Sequence, residues 1–313
     1  MLGRKLVERL AYEGTLSGRP IARVTLVDVV EPLAVAAPFE VETEVGDLAE
    51  EGVAESLVRR PDVVFHLAAV VSGEAESDFE KGYRVNLDGT RQLLEAIRTL
   101  DRYCPRVVFA SSIAVFGTPF PDTIGDEFVT APLTSYGTQK AICELLLSDY
   151  TRRGFLDGVG IRLPTVCVRP GAPNLAASGF FSNIIREPLN GREAVLPVAD
   201  DVRHWHSSPR AAVGFVLHAA AISGETLGDR RCLTMPGVSV TVGEQIEALR
   251  AVAGDEIVEL IRREPDESLQ RMIGNWPRRF DTRRATALGF RAESSFEEII
   301  HVYIDDELGG QIP

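Results

Sequence analysis

The sequence predicts an α/β protein: a doubly wound parallel sheet in residues 1–171 and a smaller, partly interleaved substrate cap in residues 172–313. Three observations predict it. Apolar, β-rich runs alternate with helix-period segments along the first 170 residues, the pattern of strands joined by right-handed helical crossovers. Several runs are continuously apolar rather than alternating, as strands covered on both faces are. The 313 residues, 45% apolar and 25% charged, are enough to supply the core of such a sheet.

The elements follow in order. MLGRKLVERLAYEG has helical periodicity and lacks the apolar core of a signal peptide. RVTLVDV (23–29) is a strand carrying Asp28 at its end, and 40–46 is a weaker strand running into Gly46-Asp47. DVVFHLAA (62–69) reads as a strand buried on both faces and closed by His66-Leu67-Ala68-Ala69. NLDGTRQLLEAIRTL reads as a helix opened by Asn86 as N-cap, whose side chain can also brace the neighbouring strand ends. RVVFASS (106–112) is another buried strand and ends on Ser112. A loop rich in Pro, Gly and Asp at 117–133 leads to the helix SYGTQKAICELLLSDYTRR, and a strand follows at 159–168. Beyond 171, amphipathic helices are expected at 242–253, 266–275 and 295–306.

Charge and cysteine usage narrow the class. The balance of 33 basic and 46 acidic residues gives −13, which argues against nucleic acid or an anionic membrane as main partner but leaves room for a small anionic ligand. No apolar run is long enough for a transmembrane helix. Cys104, Cys143, Cys167 and Cys232 lie far apart with no C-x-x-C, so they read as reduced core thiols of a cytoplasmic protein. His204 and His206 lack metal-ligand spacing, and no metal is expected.

The strongest chemical signal is Tyr136-x-x-x-Lys140, with Ser112 closing the preceding strand. Residues four apart share one helix face. Six tyrosines and three lysines in the chain give about 0.06 chance pairs at this spacing. A phenol ionises near pH 10, so to take a proton near neutrality it needs a nearby positive charge that favours phenolate. Lys140 supplies an ammonium; Ser112 can hydrogen-bond and orient a reacting hydroxyl. Asp28 stands where, in a dinucleotide-binding sheet, an acidic side chain accepts the adenosine ribose hydroxyls and repels a 2′-phosphate, selecting NAD over NADP. Asp47 can meet the adenine or cap a helix. His66 reads as a satisfied core histidine.

These motifs, MLG, VTLVDV, GDL, HLAAVV, VNLDGT, ASSIAVFG, SYGTQK and VRPG in order, resemble the extended short-chain dehydrogenase/reductases of the NAD-dependent epimerase/dehydratase superfamily, which carry a Rossmann-type sheet. The resemblance implies Tyr136, Lys140 and Ser112 as the catalytic set. It implies NAD held by Gly3, Asp28, Asp47, Leu48, Ala68, Ala69 and Asn86 together with Tyr136 and Lys140. Relatives pair through the helices bearing Asn86 and Tyr136, so a homodimer is expected. Residues 162–191 and 203–215 resemble members that oxidise a four-carbon sugar acid to its 2-oxo form. A carboxylate calls for a bidentate arginine, with Arg203 the first choice over Arg169 and Arg186. Asn174, Ser178 and His204 are candidates to bond substrate hydroxyls, beside Ser112 and Tyr136. A nucleotide-sugar epimerase or dehydratase and a non-catalytic NAD-binding protein are the alternatives.

The resemblance also exposes a departure. Gly3 aligns with the last glycine of a phosphate-binding G-x-x-G-x-x-G loop, but the first strand and two earlier glycines are not in the sequence. The reading is a start assigned at an internal Met, or a shortened chain. The expectation is weak NAD binding unless about a dozen upstream residues are restored, because strands flanking a missing one are left unpaired.

Overall fold

The structure, a computed structural model, describes residues 1–171 and 177–312. It divides into two compact units. The first comprises Met1–Ser112, Thr134–Arg162 and Val213–Leu233, and the second Ile113–Leu133, Leu163–Ala212 and Thr234–Pro313. Residues 113–133 and 163–171 thus belong with the second unit and 213–233 with the first.

The first unit opens with helix α1 (Leu2–Glu13), which buries Leu6, Val7 and Leu10 along one face. It stops at Gly14, whose φ of 65° lets its N–H bond back to the Leu10 carbonyl. Strands β1 (Arg23–Asp28) and β2 (Glu40–Val45) pair in parallel, from Arg23 opposite Glu40 to Asp28 opposite Val45. Strands β3 (Val63–His66), β4 (Arg106–Ser112), β5 (Asp157–Leu163) and β6 (Cys232–Thr234) form a second sheet in the order β6-β5-β4-β3. Among the described residues no strand joins β1 to β3, and the parallel strands lie in two sheets, with β1 and β3 not paired to each other, as the sequence reading expects of strands flanking a missing one.

Three boundaries differ from the sequence reading. β3 stops at His66, and Ala68 and Ala69 lie exposed beyond it. Only His66 of β3 is buried, because among the described residues the strand hydrogen-bonds a neighbour strand on its β4 side alone. Asn86 is not an N-cap: helix begins at Phe79, passes through a π-helical segment, Tyr83–Asp88, and continues as α2 (Gly89–Arg98). The strand expected at 159–168 is two, β5 and Thr165–Val166, because Pro164 between them has no N–H for a ladder.

Helix α3 (Ser135–Arg152) is capped by Thr134, whose hydroxyl accepts from the Gly137 N–H at 3.1 Å. It packs with α2 and β4 around Leu94, Ile97, Val107, Phe109, Cys143 and Leu147, all buried. Burial at this level contributes about 2 kcal/mol for each large side chain. Gly160 of β5 is required by its neighbour, since a Cβ there would lie 2.5 Å from Cys232 Sγ.

In the second unit, Arg203–Ser207 runs parallel to Thr165–Val166 and antiparallel to Val238–Thr241. The predicted helices are found at Val242–Ala253, Glu267–Gly274 and Phe296–Glu307. The first carries a capping box between Thr241 and Glu244. Phe181, Ile184, Leu249 and Ile300 form the centre of this unit's core. Of the four cysteines, Cys143 and Cys167 are buried, Cys232 is half-buried and Cys104 is exposed, which corrects the reading of all four as core thiols.

Candidate active site

Strand β4 and helix α3 bring the predicted set together in the first unit. β4 is a continuous apolar run, so Val107, Val108 and Phe109 lock it into the core and its end delivers Ser112 at half-burial. The first turn of α3 carries Tyr136, and one turn on Lys140 is buried. Lys140 Nζ donates to the Ala110 carbonyl of β4 at 2.9 Å, two residues before Ser112. It lies 4.7 Å from the centre of the Phe109 ring and 5.7 Å from that of Tyr136. Burial lowers the Lys140 pKa to about 8, against the opposing pull of Cys143 and Glu144. The ammonium therefore still predominates near neutral pH, beside the phenol ring.

His66 stands behind the lysine. Burial, with the Lys140 charge adding to it, pushes its pKa down to about 3, so the imidazole is neutral. Its Nε2 meets Thr90 Oγ1 at 2.8 Å and its ring packs on Phe109. Asn86 is buried and braces the end of β3: its Oδ1 accepts from the Val70 N–H, and its Nδ2 donates to the Val70 carbonyl and to Gln139 Oε1.

The predicted NAD residues lie at or beyond the C-terminal ends of the parallel strands. Asp28 closes β1, exposed, its Oδ1 accepting from the Val29 N–H at 2.7 Å. Asp47 follows β2. No helix begins at it; its Oδ1 accepts from the Ala49 N–H in a turn and its Oδ2 from Arg84 at 2.6 Å. Burial works to raise the Asp47 pKa, but the Ala49 and Arg84 hydrogen bonds outweigh it and hold it low. Leu48 is half-buried on the core. Gly3 lies exposed in the first turn of α1, where an added Cβ would come no nearer than 3.9 Å to Leu67. An exposed carboxylate closing β1, an open Ala68-Ala69 backbone after β3 and a cation at α3 fit the ribose and backbone of NAD, while the two earlier glycines of a phosphate-binding loop are not in the sequence.

The substrate candidates belong to the second unit. Arg203 donates to the Ser239 carbonyl at 2.8 Å and to Glu244 at 3.1 Å. Ser178 Oγ accepts from Arg169 Nη2 at 2.8 Å. Arg186 is buried among Glu187, Asn183 and the Arg169 carbonyl. His204, predicted to face a hydroxyl, is instead buried between Thr165 Oγ1 and the Pro277 carbonyl, stacked on Phe181. Burial holds its pKa at about 4, and that of His206 well below the ordinary value. Asn174 lies outside the described residues.

The sequence reading missed the buried partners of this site: Thr90, Gln139 and the group Ser111, Glu144 and Arg162. One signal was available for the last, since Glu144 continues the four-residue spacing of Tyr136 and Lys140.

Comparison with known proteins gives the family and agrees with the fold. A family model described as NAD dependent epimerase/dehydratase family matches residues 1–224. The chain is 48% identical to a D-erythronate dehydrogenase from Cupriavidus necator, over 97% of this chain and 95% of that one. It is 41% identical to another from Haemophilus influenzae, over 98% and 96%. Among solved structures, a nucleoside-diphosphate-sugar epimerase from Agrobacterium tumefaciens matches 100% of this chain and 93% of its own, with 64% identity and a TM-score of 0.97.

Proposed function

This chain belongs to the NAD-dependent epimerase/dehydratase family, and from that premise we propose that it is a dehydrogenase converting D-erythronate to 2-oxo-tetronate. The observation that carries the chemistry is Lys140, anchored to β4 and set beside the Tyr136 ring. The two relatives named D-erythronate dehydrogenase support the substrate.

NAD, when bound, supplies the hydride acceptor. Tyr136 Oη takes the proton of the substrate hydroxyl as the carbinol carbon is oxidised. The ammonium of Lys140 favours the phenolate that this requires, and Ser112 orients the reacting oxygen. Asp28 accepts the ribose hydroxyls of the adenosine. Asp47 and Leu48 would hold the adenine, Ala68 and Ala69 would let the dinucleotide approach their backbone, and Gly3 would face the diphosphate. Asn86 keeps the strand end in place. Arg203 is assigned to the substrate carboxylate, with Ser178 and Asn174 for hydroxyls; Arg203 would then exchange its Glu244 partner for the substrate. A second copy pairs through α2 and α3.

The 64% identical structure named a nucleoside-diphosphate-sugar epimerase supports a second reading, in which the sugar of a nucleotide is epimerised without net change in NAD. The test offers the protein NAD with D-erythronate in one arm and UDP-sugars in the other. The first reading expects NADH from D-erythronate, lost in Tyr136→Phe. An epimerised UDP-sugar with no NADH from any sugar acid would replace it by the second.

A further inference from the structure

Two consecutive residues of β4 are tied to two residues one turn apart on α3. Ala110 accepts from Lys140 through its carbonyl at 2.9 Å, and Ser111 Oγ donates to Glu144 Oε1 at 2.5 Å. Glu144 is gripped from the other side by Arg162 of β5. Its Nε lies 2.9 and 3.1 Å from the two carboxylate oxygens, and its Nη2 is 2.7 Å from Oε2. Ser111, Glu144 and Arg162 are all buried.

We propose that Ser111, Glu144 and Arg162 act as a positioning clamp that holds α3 in register with β4, and so holds Lys140 beside Tyr136 and Ser112. The proposal rests on the catalytic reading above. The physical reason is that Lys140 has a long flexible stem with one carbonyl as its hydrogen-bonded anchor, so its place depends on where the helix lies along the strand. A one-residue slip of β4 would turn Ser111 to the opposite face and break both ties together. A buried ion pair of this kind adds little net stability over an apolar packing, and fixing one arrangement is its better-attested use.

The groups facing Lys140 and its clamp are His66 from β3, Tyr136, Cys143 and Glu144 from α3, Arg162 from β5 and Cys232 from β6, the last beside Glu144. His66 is held neutral, and burial pushes the thiols of Cys143 and Cys232 up. Glu144, held by Ser111 and Arg162, acts on the ammonium through its charge.

Ser111→Ala breaks the clamp without changing any charge. Ser111→Thr keeps the hydroxyl, and Glu144→Asp keeps the charge while shortening its reach. Each is compared with the parent for melting temperature and for the pH dependence of kcat and kcat/KM. Ser111→Ala is expected to lower kcat about tenfold with KM little changed. The acid limb of its kcat/KM profile moves to higher pH, and Ser111→Thr restores both. Glu144→Asp moves in the same direction as Ser111→Ala.

A lowered melting temperature with an unmoved acid limb would overturn the clamp, leaving these residues purely structural. Tyr136→Phe separates the two readings. If it retains parental activity the base assignment fails; if it is inactive while Ser111→Ala behaves as the parent, the clamp alone fails. A reading independent of turnover is the tyrosinate absorbance difference between each protein and its Tyr136→Phe derivative. The clamp requires the phenol of Ser111→Ala to ionise at higher pH than that of the parent, and an equal midpoint refutes it.

Discussion

In β4, Val107, Val108 and Phe109 are each 1% exposed or less, whereas in β1 Val24 and Leu26 reach only half-burial and Val27 is 38% exposed. Both strands are short, parallel and rich in β-branched residues, and both belong to the first unit. What separates them is the number of neighbours. β4 is hydrogen-bonded on both sides, by β3 and β5, and covered by α2 and α3; among the described residues β1 pairs with β2 alone. Apolar composition made both strands possible, but the neighbours decided which of them is buried. Ser112 sits at the end of the buried strand, and Lys140 of α3 is anchored to the same strand. Asp28, assigned to holding one end of the cofactor, sits at the end of the exposed one.

The largest effect expected from this contrast is on turnover. Tyr136→Phe should lower kcat by roughly 10²- to 10⁴-fold while circular dichroism and melting stay parental. Full activity in that variant would remove the base from the site.

Stability sharpens the same comparison. Phe109→Ala in β4 should destabilise by about 3–5 kcal/mol in urea titration, and Val27→Ala in β1 by roughly 0.5 kcal/mol or less. Equal losses would show that β1 is as tightly held as β4.

Lys140 tests the covered region through its charge. Its native pKa of about 8 lies below the ordinary 10.5, so between these values the unfolded chain binds the proton more readily than the folded one. The stability of the parent therefore rises as pH climbs from 8 to 10.5, and below 8 the buried ammonium destabilises the fold. Lys140→Met should accordingly melt above the parent near neutral pH, by an amount on the order of 3 kcal/mol, and lose that advantage on the alkaline side. It should have lost turnover as well. A variant less stable than the parent at neutral pH would contradict the assignment of the lysine as a buried charge.

The smallest effect belongs to the exposed pair. Asp28→Ala should weaken NAD binding about tenfold by calorimetry, the size of one charge-assisted hydrogen bond, and leave kcat nearly unchanged. A comparable loss of kcat would mean that the two regions are not divided between binding and chemistry.

Much of this was legible before any coordinates. Helical periodicity located α1 and the helix at Val242–Ala253, because a buried face of mainly Leu, Val and Ile repeats with the helix, whereas α3 buries the more polar face of Gln139, Lys140, Cys143, Glu144 and Leu147. Proline at 164 was a visible break, yet the run around it was apolar enough to read as one strand. The start of the helix containing Asn86 was misplaced because a π-helical segment leaves no mark in composition; Asn looks like a cap wherever it precedes an apolar face. His204 was a candidate for a substrate hydroxyl beside Asn174 and Ser178, since an imidazole satisfied by Thr165 and the Pro277 carbonyl looks the same in sequence as one that is not.

By itself the sequence determined the order of strands and helices, the spacing that puts Tyr136 and Lys140 on one face, and the family to which these motifs point. Periodicity, turn chemistry and four-residue spacings are local, and local patterns survive in a one-dimensional code. Only the tertiary structure decided that Lys140 is buried against the Ala110 carbonyl, and that Ser111, Glu144 and Arg162 meet. Those depend on contacts between residues far apart in the chain, where burial and the pairing of charges are set by which neighbours arrive rather than by which residues are present.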